Sequence, residues 1–124
     1  RAKKFIQALS KFKELDFNKS FNNRRHVYHL LSAYYKPKNN INRNNLIDLL
    51  YKKFKIKCAI QYLPLYRYPL FKKMGVKKIE CKNTNLFYDN MISFPFHIWM
   101  SNRNFEYLIK SVKKSLIELR LKNK

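Results

Sequence analysis

A single glycine, Gly75, occurs in 124 residues. That excludes the glycine-rich loops that cradle phosphates in P-loop and dinucleotide-binding proteins, because such loops need several positions without a Cβ. Acid is almost as sparse: seven carboxylates stand against 28 lysines and arginines, for a formal net charge of +21. Glu14, Asp16, Asp48, Glu80, Asp89, Glu106 and Glu118 read as helix-face, cap or solvated charges that offset lysines, and no two are spaced as a paired acid and base. No apolar run is long enough to span a bilayer, and no signal-peptide pattern opens the chain. The first residue is arginine rather than methionine, so the sequence reads as a fragment or a processed chain. Two cysteines, Cys58 and Cys81, sit too far apart for a zinc knuckle and are too few for a disulfide framework. They read as partly buried thiols in a reducing cytoplasm. Four prolines are present, and two of them, Pro64 and Pro69, fall five residues apart.

The charge alone would point to a polyanionic partner. However, lysine outnumbers arginine 21 to 7 and asparagine occurs 14 times. Such a bias follows from AT-rich codons without selection for nucleic acid. The seven arginines are scattered rather than grouped into base- or phosphate-reading forks. A small basic nucleic-acid-binding module is therefore the alternative reading, and a non-catalytic interaction fragment with an exposed apolar face is a third.

The apolar content, 46%, suits one folded domain. Phe5, Leu9, Phe12 and Leu15 share one helical face, which predicts a helix from residue 2 to about 16. A polar connector, NKSFNNRR, occupies 18–25. HVYHLLSAYY, 26–35, has no helical stripe and reads as a buried strand. Asn42 or Asn44 caps a helix over 43–54 whose inner face carries Leu46, Ile47, Leu50 and Phe54. KIKCAIQY, 55–62, alternates cleanly and is the clearest strand in the chain. A helical turn over 69–74 ends at Gly75 as its C′ residue, and a basic loop covers 76–82. Asn83 caps a short helix over 84–90. MISFPF reads as a strand stopped by Pro95. Ser101 or Asn102 then caps a helix to about 121, with Phe105, Leu108, Ile109, Val112, Leu116 and Leu119 on its core face. Nothing beyond the final KNK is low in complexity. The fold class expected is α+β, a small three-stranded, mainly antiparallel sheet covered by helices.

His26 and His29, three apart on a strand, would point to opposite faces and cannot chelate one ion together. With His97 isolated, no metal site is expected. No catalytic serine or cysteine constellation appears. The segment QYLPLYRYPLFKKM, 61–74, is different. Its two prolines fix φ twice and remove two donors, so it holds its backbone in place at low ordering cost. Arg67 could grip a phosphate or carboxylate and the tyrosines could stack or donate; the plainer reading is that Tyr66, Tyr68 and Phe71 fill the gap between sheet and helices.

RRHVYHL, a helix, IKCAIQYLPLYRYPLFKKMG, then CKNTNLFYDNMISFPFHIWMS and a terminal helix, in this order and spacing, resemble the C-terminal part of the DegT/DnrJ/EryC1/StrS aminotransferases. The resemblance covers nearly the whole chain. It implies the small domain of a fold-type I aminotransferase at 26–124, preceded at 1–25 by the helix and connector that link it to a large domain. It implies a whole enzyme, cytoplasmic and homodimeric, that uses pyridoxal 5′-phosphate (PLP) to aminate a nucleotide-linked keto sugar with an amino acid as amino donor, without membrane or nucleic-acid partners. PLP would be held mainly by the large domain, and no lysine here matches the cofactor-binding position. The family carries a histidine–tyrosine pair before a proline near the sugar-nucleotide side of the site. Here the pair is Gln61 and Tyr62, before Pro64. Tyr62, Arg67, Gln61 and His29 are thus the implied substrate-lining residues, with no catalytic residue in this chain. Ser93–Pro95 matches a segment near the domain junction.

Overall fold

Two helices are written most plainly into the chain, and both form where their caps and stripes place them. In the computed structural model, which describes residues 1–19, 23–76 and 81–122, helix α2 spans Arg43–Phe54. Asn42 caps it, and Asn45 bonds back in a reciprocal capping box. Helix α5 spans Asn102–Leu121, with the Ser101 hydroxyl accepting from the Asn104 amide. All six expected core positions of α5 are buried, as are Leu46 and Leu50 of α2. The two helices pack on each other. Parts of the 18–25 connector and of the 76–82 loop, together with Glu80 and the end of the terminal KNK, lie outside the described residues.

Helix α1 is shorter than its periodicity suggests, spanning Ala2–Leu9. Turn hydrogen bonds from Phe12 to the Leu9 carbonyl and from Leu15 to the Phe12 carbonyl redirect the chain. Phe12 and Leu15 stay buried, but Leu15 is now the first residue of strand β1, Leu15–Phe17. Strand β2 is Leu31–Tyr35, five residues later than the expected start. Ahead of it Tyr28 takes a left-handed φ of 50° and its amide donates to His26 Nδ1 at 2.9 Å. His26 and His29 are therefore not on a strand at all, and the opposite-face argument does not apply to them. Helices α3, Pro69–Lys73, and α4, Lys82–Asn90, follow. Gly75 closes α3 with φ 78°, the conformation that glycine adopts without a Cβ penalty. Helix α4 starts before Asn83, with Cys81 at its N-cap and no side-chain cap bond. Strand β3 is Met91–Phe94.

The sheet is antiparallel with order β1-β2-β3, so its three-stranded α+β class is as expected, but its membership is not. KIKCAIQY is not a strand. Its one ladder contact is the bridge between Ala59 and Ser93, at the free edge of β3. Lys55 enters the left-handed region at φ 56°, and the alternation fades: Ile56 is buried, Cys58 half-buried, Ile60 and Tyr62 exposed. The third strand is β1, whose Leu15-Asp16-Phe17 alternates over only three residues.

Registers Leu31↔Phe94 and Ala33↔Ile92 put one face of the sheet against the core with α1, α2 and α5. Phe5 sits at its centre, 5.1 Å from Phe94 and 6.0 Å from Phe17, ring to ring. The second face carries Ser32, Tyr34, Met91 and Ser93. Helix α4 lies over it, Phe87 stacking 6.4 Å from Tyr34. The Gln61 amide donates to Met91 Sδ at 3.3 Å, which ties the start of the proline-rich segment to the same strand.

Candidate functional site

After Ala59 the chain leaves the sheet edge. The Gln61–Tyr62 peptide is cis. Pro64 is buried and precedes a 3₁₀ turn, Leu65–Arg67, while Pro69 opens α3 at its first position, where a missing amide costs nothing. The two prolines thus start two consecutive turns.

Helix α4 anchors this segment. Arg67 Nη1 donates to Asp89 Oδ1 at 2.8 Å and its Nη2 to Oδ2 at 3.3 Å. Nη2 also reaches Asn85 Oδ1, which accepts from the Tyr66 hydroxyl at 2.9 Å. The Arg67 guanidinium lies 5.3 Å from the Tyr88 ring centre. The hydrogen bond with Asp89 raises the Arg67 pKa and holds the Asp89 carboxyl below its ordinary value. Arg43 fastens the far end of the same helix: it is buried and donates to the carbonyls of Tyr88 at 2.6 Å and Met91 at 3.1 Å. Burial lowers the pKa of this guanidinium. Two arginines that look scattered in sequence therefore converge on α4, one through side chains and one through its terminal carbonyls.

The four residues that the resemblance implies are divided by the structure. His29 and Gln61 line one open cleft of about 180 Å³, with Lys57, Ser93, Pro95 and Phe96 among its walls. Tyr62, 63% exposed, and Arg67 are outside that lining, and Arg67 is directed at α4. Lys57, the third residue of the expected strand, lines the cleft as well, and nothing in its sequence setting singled it out. The Ser93 hydroxyl is buried with no hydrogen-bond partner among the described residues. Cys58, beside this cleft in sequence, has its thiol pushed up to about 12 by burial, so it is no nucleophile at neutral pH. No group of three or more His, Cys, Asp or Glu residues able to hold a metal occurs among the described residues.

The amino-acid sequence matches the DegT/DnrJ/EryC1/StrS aminotransferase family over residues 1–113. The chain belongs to this family. By sequence the chain is similar to the uncharacterized protein MJ1066 of Methanocaldococcus jannaschii, 32% identical over 77% of this chain and 24% of that protein. Among solved structures, Spr1654 from Streptococcus pneumoniae, described as a sugar aminotransferase and solved in its PMP form, superposes with a TM-score of 0.76 at 20% identity over 98% of this chain and 31% of its own. The aminotransferase TlmJ from Streptoalloteichus hindustanus gives 0.80 at 17% identity over 95% of this chain and 30% of its own. Helicobacter pylori PseC, an aminotransferase involved in the biosynthesis of pseudoaminic acid, gives 0.78 at 19% over 94% and 31%. At these identities the superpositions establish the fold. The chain spans under a third of the length of each of these proteins.

The family's chemistry needs PLP on a lysine, and a lysine serves that role where burial or a neighbouring cation depresses its pKa. Among the described residues every lysine is exposed except the half-buried Lys113 of α5. None of these exposed lysines is buried as that role requires, and no catalytic step is assigned to the described residues.

Proposed function

We propose that this chain is the small domain of a PLP-dependent aminotransferase that, as a whole protein, aminates a nucleotide-linked keto sugar with an amino acid as donor. In this reading PLP is held mainly by a large domain outside these 124 residues, and the whole protein is a cytoplasmic homodimer, as the resemblance implies. Residues 26–124 supply one wall of the substrate pocket and 1–25 the link to the large domain. The observation that carries the reading is the family match over residues 1–113 together with superposition over nearly all of the chain. The family assignment favours it over a basic nucleic-acid-binding module.

His29 and Gln61, together with the ammonium of Lys57, supply a donor set at the cleft suited to the hydroxyls and phosphates of such a substrate. Tyr62 is presented outward from the pinned loop, where it would meet a substrate or the neighbouring polypeptide. Arg67 serves by holding that loop on α4. The test is amino transfer by the whole protein, supplied with PLP, glutamate and a UDP-linked 4-keto sugar, with the sugar product read by mass spectrometry. A nitrogen-for-oxygen mass change on the sugar supports the reading, and PLP binding with no transfer to any nucleotide-linked keto sugar refutes the substrate class.

A further inference from the structure

At the far end of β2 from His29, roughly 15 Å along the strand, lies a larger cleft of about 690 Å³. Its volume is in the range of small-molecule sites. Five cations line it, Lys11, Lys13, Lys36, Lys38 and Arg120, around a floor that includes Tyr35, Ile41, Leu116 and Leu119. Tyr35, Leu116 and Leu119 are themselves buried, so the floor belongs to the core rather than to a loose surface.

The lysines are placed by the backbone. The Lys36 amide donates to the Glu14 carbonyl at 2.7 Å, and Leu15 pairs with Tyr35 in the sheet. The turn bearing Lys11 and Lys13 is therefore laced to the loop bearing Lys36 and Lys38. That loop is closed in turn by paired backbone bonds between Lys38 and Ile41 at 3.1 and 3.0 Å, which set Ile41 in the cleft wall. Arg120 is committed, clasping Glu14 through two nitrogens with its guanidinium 4.8 Å from the Phe12 ring centre. Lys36 meets Asp16 at 3.2 Å. Five cations thus share the cleft with one lining carboxylate, Glu14, and positive charge is gathered in a concave site with apolar walls. Compact ammonium groups suit phosphate oxygens as point charges, and the apolar floor suits a ring.

We propose that this cleft binds a small organic phosphate with a ring-shaped body, of the nucleoside diphosphate class. The phosphates sit among Lys11, Lys13, Lys36 and Lys38, and the ring rests against Tyr35 and Ile41. The inference stands apart from the aminotransferase reading.

The experiment is titration of the full chain with ADP and, separately, with pyrophosphate, by calorimetry and amide NMR at physiological ionic strength, where the screening length is about 8 Å. It is repeated on the double variants K11E/K13E and K72E/K73E. All four lysines are exposed, and the two variants change net charge equally. The expected result is ADP-dependent shifts at Tyr35, Ile41 and Leu119, affinity lost roughly tenfold or more in K11E/K13E but less than about twofold in K72E/K73E, and tighter binding of ADP than of pyrophosphate. Equal losses in the two variants would show diffuse attraction to a basic protein and overturn the site. Pyrophosphate affinity equal to or greater than that of ADP would overturn the ring seat, and absence of ADP binding would overturn both. The milder pair K11Q/K13Q, expected to lose affinity in the same direction, decides the matter if the glutamates disturb folding.

Discussion

Replacing Arg43 by methionine keeps most of the aliphatic stem and removes the fork. The side chain is 8% exposed, so water cannot readily replace it. Two carbonyls, of Tyr88 and Met91, lose a charged donor at 2.6 and 3.1 Å, and Asn44 Oδ1 loses Nε at 3.1 Å. Hydrogen bonds to a charged group contribute about 1.5–3 kcal/mol each. Recovering the desolvation of the buried cation offsets part of that, which leaves an expected net loss of about 2–3 kcal/mol. For a chain of this size that corresponds to a fall in Tm of roughly 10 °C. Urea unfolding followed by far-UV circular dichroism should show a lower midpoint with an unchanged slope, since the surface exposed on unfolding is the same. R43K, with one ammonium able to reach one carbonyl, should fall between. An R43M variant within about 0.5 kcal/mol of the native chain, the scatter of neutral surface changes, would refute the claim that this guanidinium secures the junction of α4 and β3.

Phe5→Ala should cost about 3–5 kcal/mol, because the ring is fully buried against Phe17, Phe94 and Phe105 and the cavity cannot collapse in a close-packed core; denaturant titration measures it. The hydrogen bond from Arg120 lowers the folded-state pKa of Glu14 from its ordinary 4.5. Its stabilisation is therefore full at neutral pH and is lost as pH falls through that lowered value. Glu14→Gln should be less stable than the native chain at pH 7 and indistinguishable from it in strong acid; a gap that persists there would contradict the assignment. In a Cys81→Ser background, Cys58 should resist iodoacetamide at pH 8 and react once urea unfolds the chain, because its thiol is held up to about 12; rapid native-state labelling would count against it. Arg67→Ala should leave the core intact but speed proteolysis within 60–75, which limited trypsin digestion with mass mapping would show.

Helices α2 and α5 were legible because their signals are local: a capping asparagine or serine and an apolar stripe at helical spacing suffice. The sheet was legible in class and strand number but not in membership. Leu15-Asp16-Phe17 carries a two-residue period, yet three residues cannot outweigh the helical spacing of Phe5, Leu9, Phe12 and Leu15, all of which end buried. KIKCAIQY shows a longer alternation and makes only the Ala59–Ser93 bridge, because partners across a sheet edge are not encoded in the strand that seeks them. At the site, the bend at 61–69 was legible from its prolines. The meeting of His29 with Gln61 was implied only by the family likeness, while the closure of Arg67 onto Asp89 depends on a helix 22 residues away and left no local mark.

Arg1 reaches the Met100 carbonyl and Asn102, Lys4 meets Glu106, and Glu14 meets Arg120. The opening residues are fastened to the closing helix across about a hundred positions. During synthesis, then, the first helix emerges with its apolar stripe bare and waits for the last one. This core cannot close while helix α5 is still inside the ribosomal tunnel, and a chain stalled before residue 100 presents chaperones with an open core.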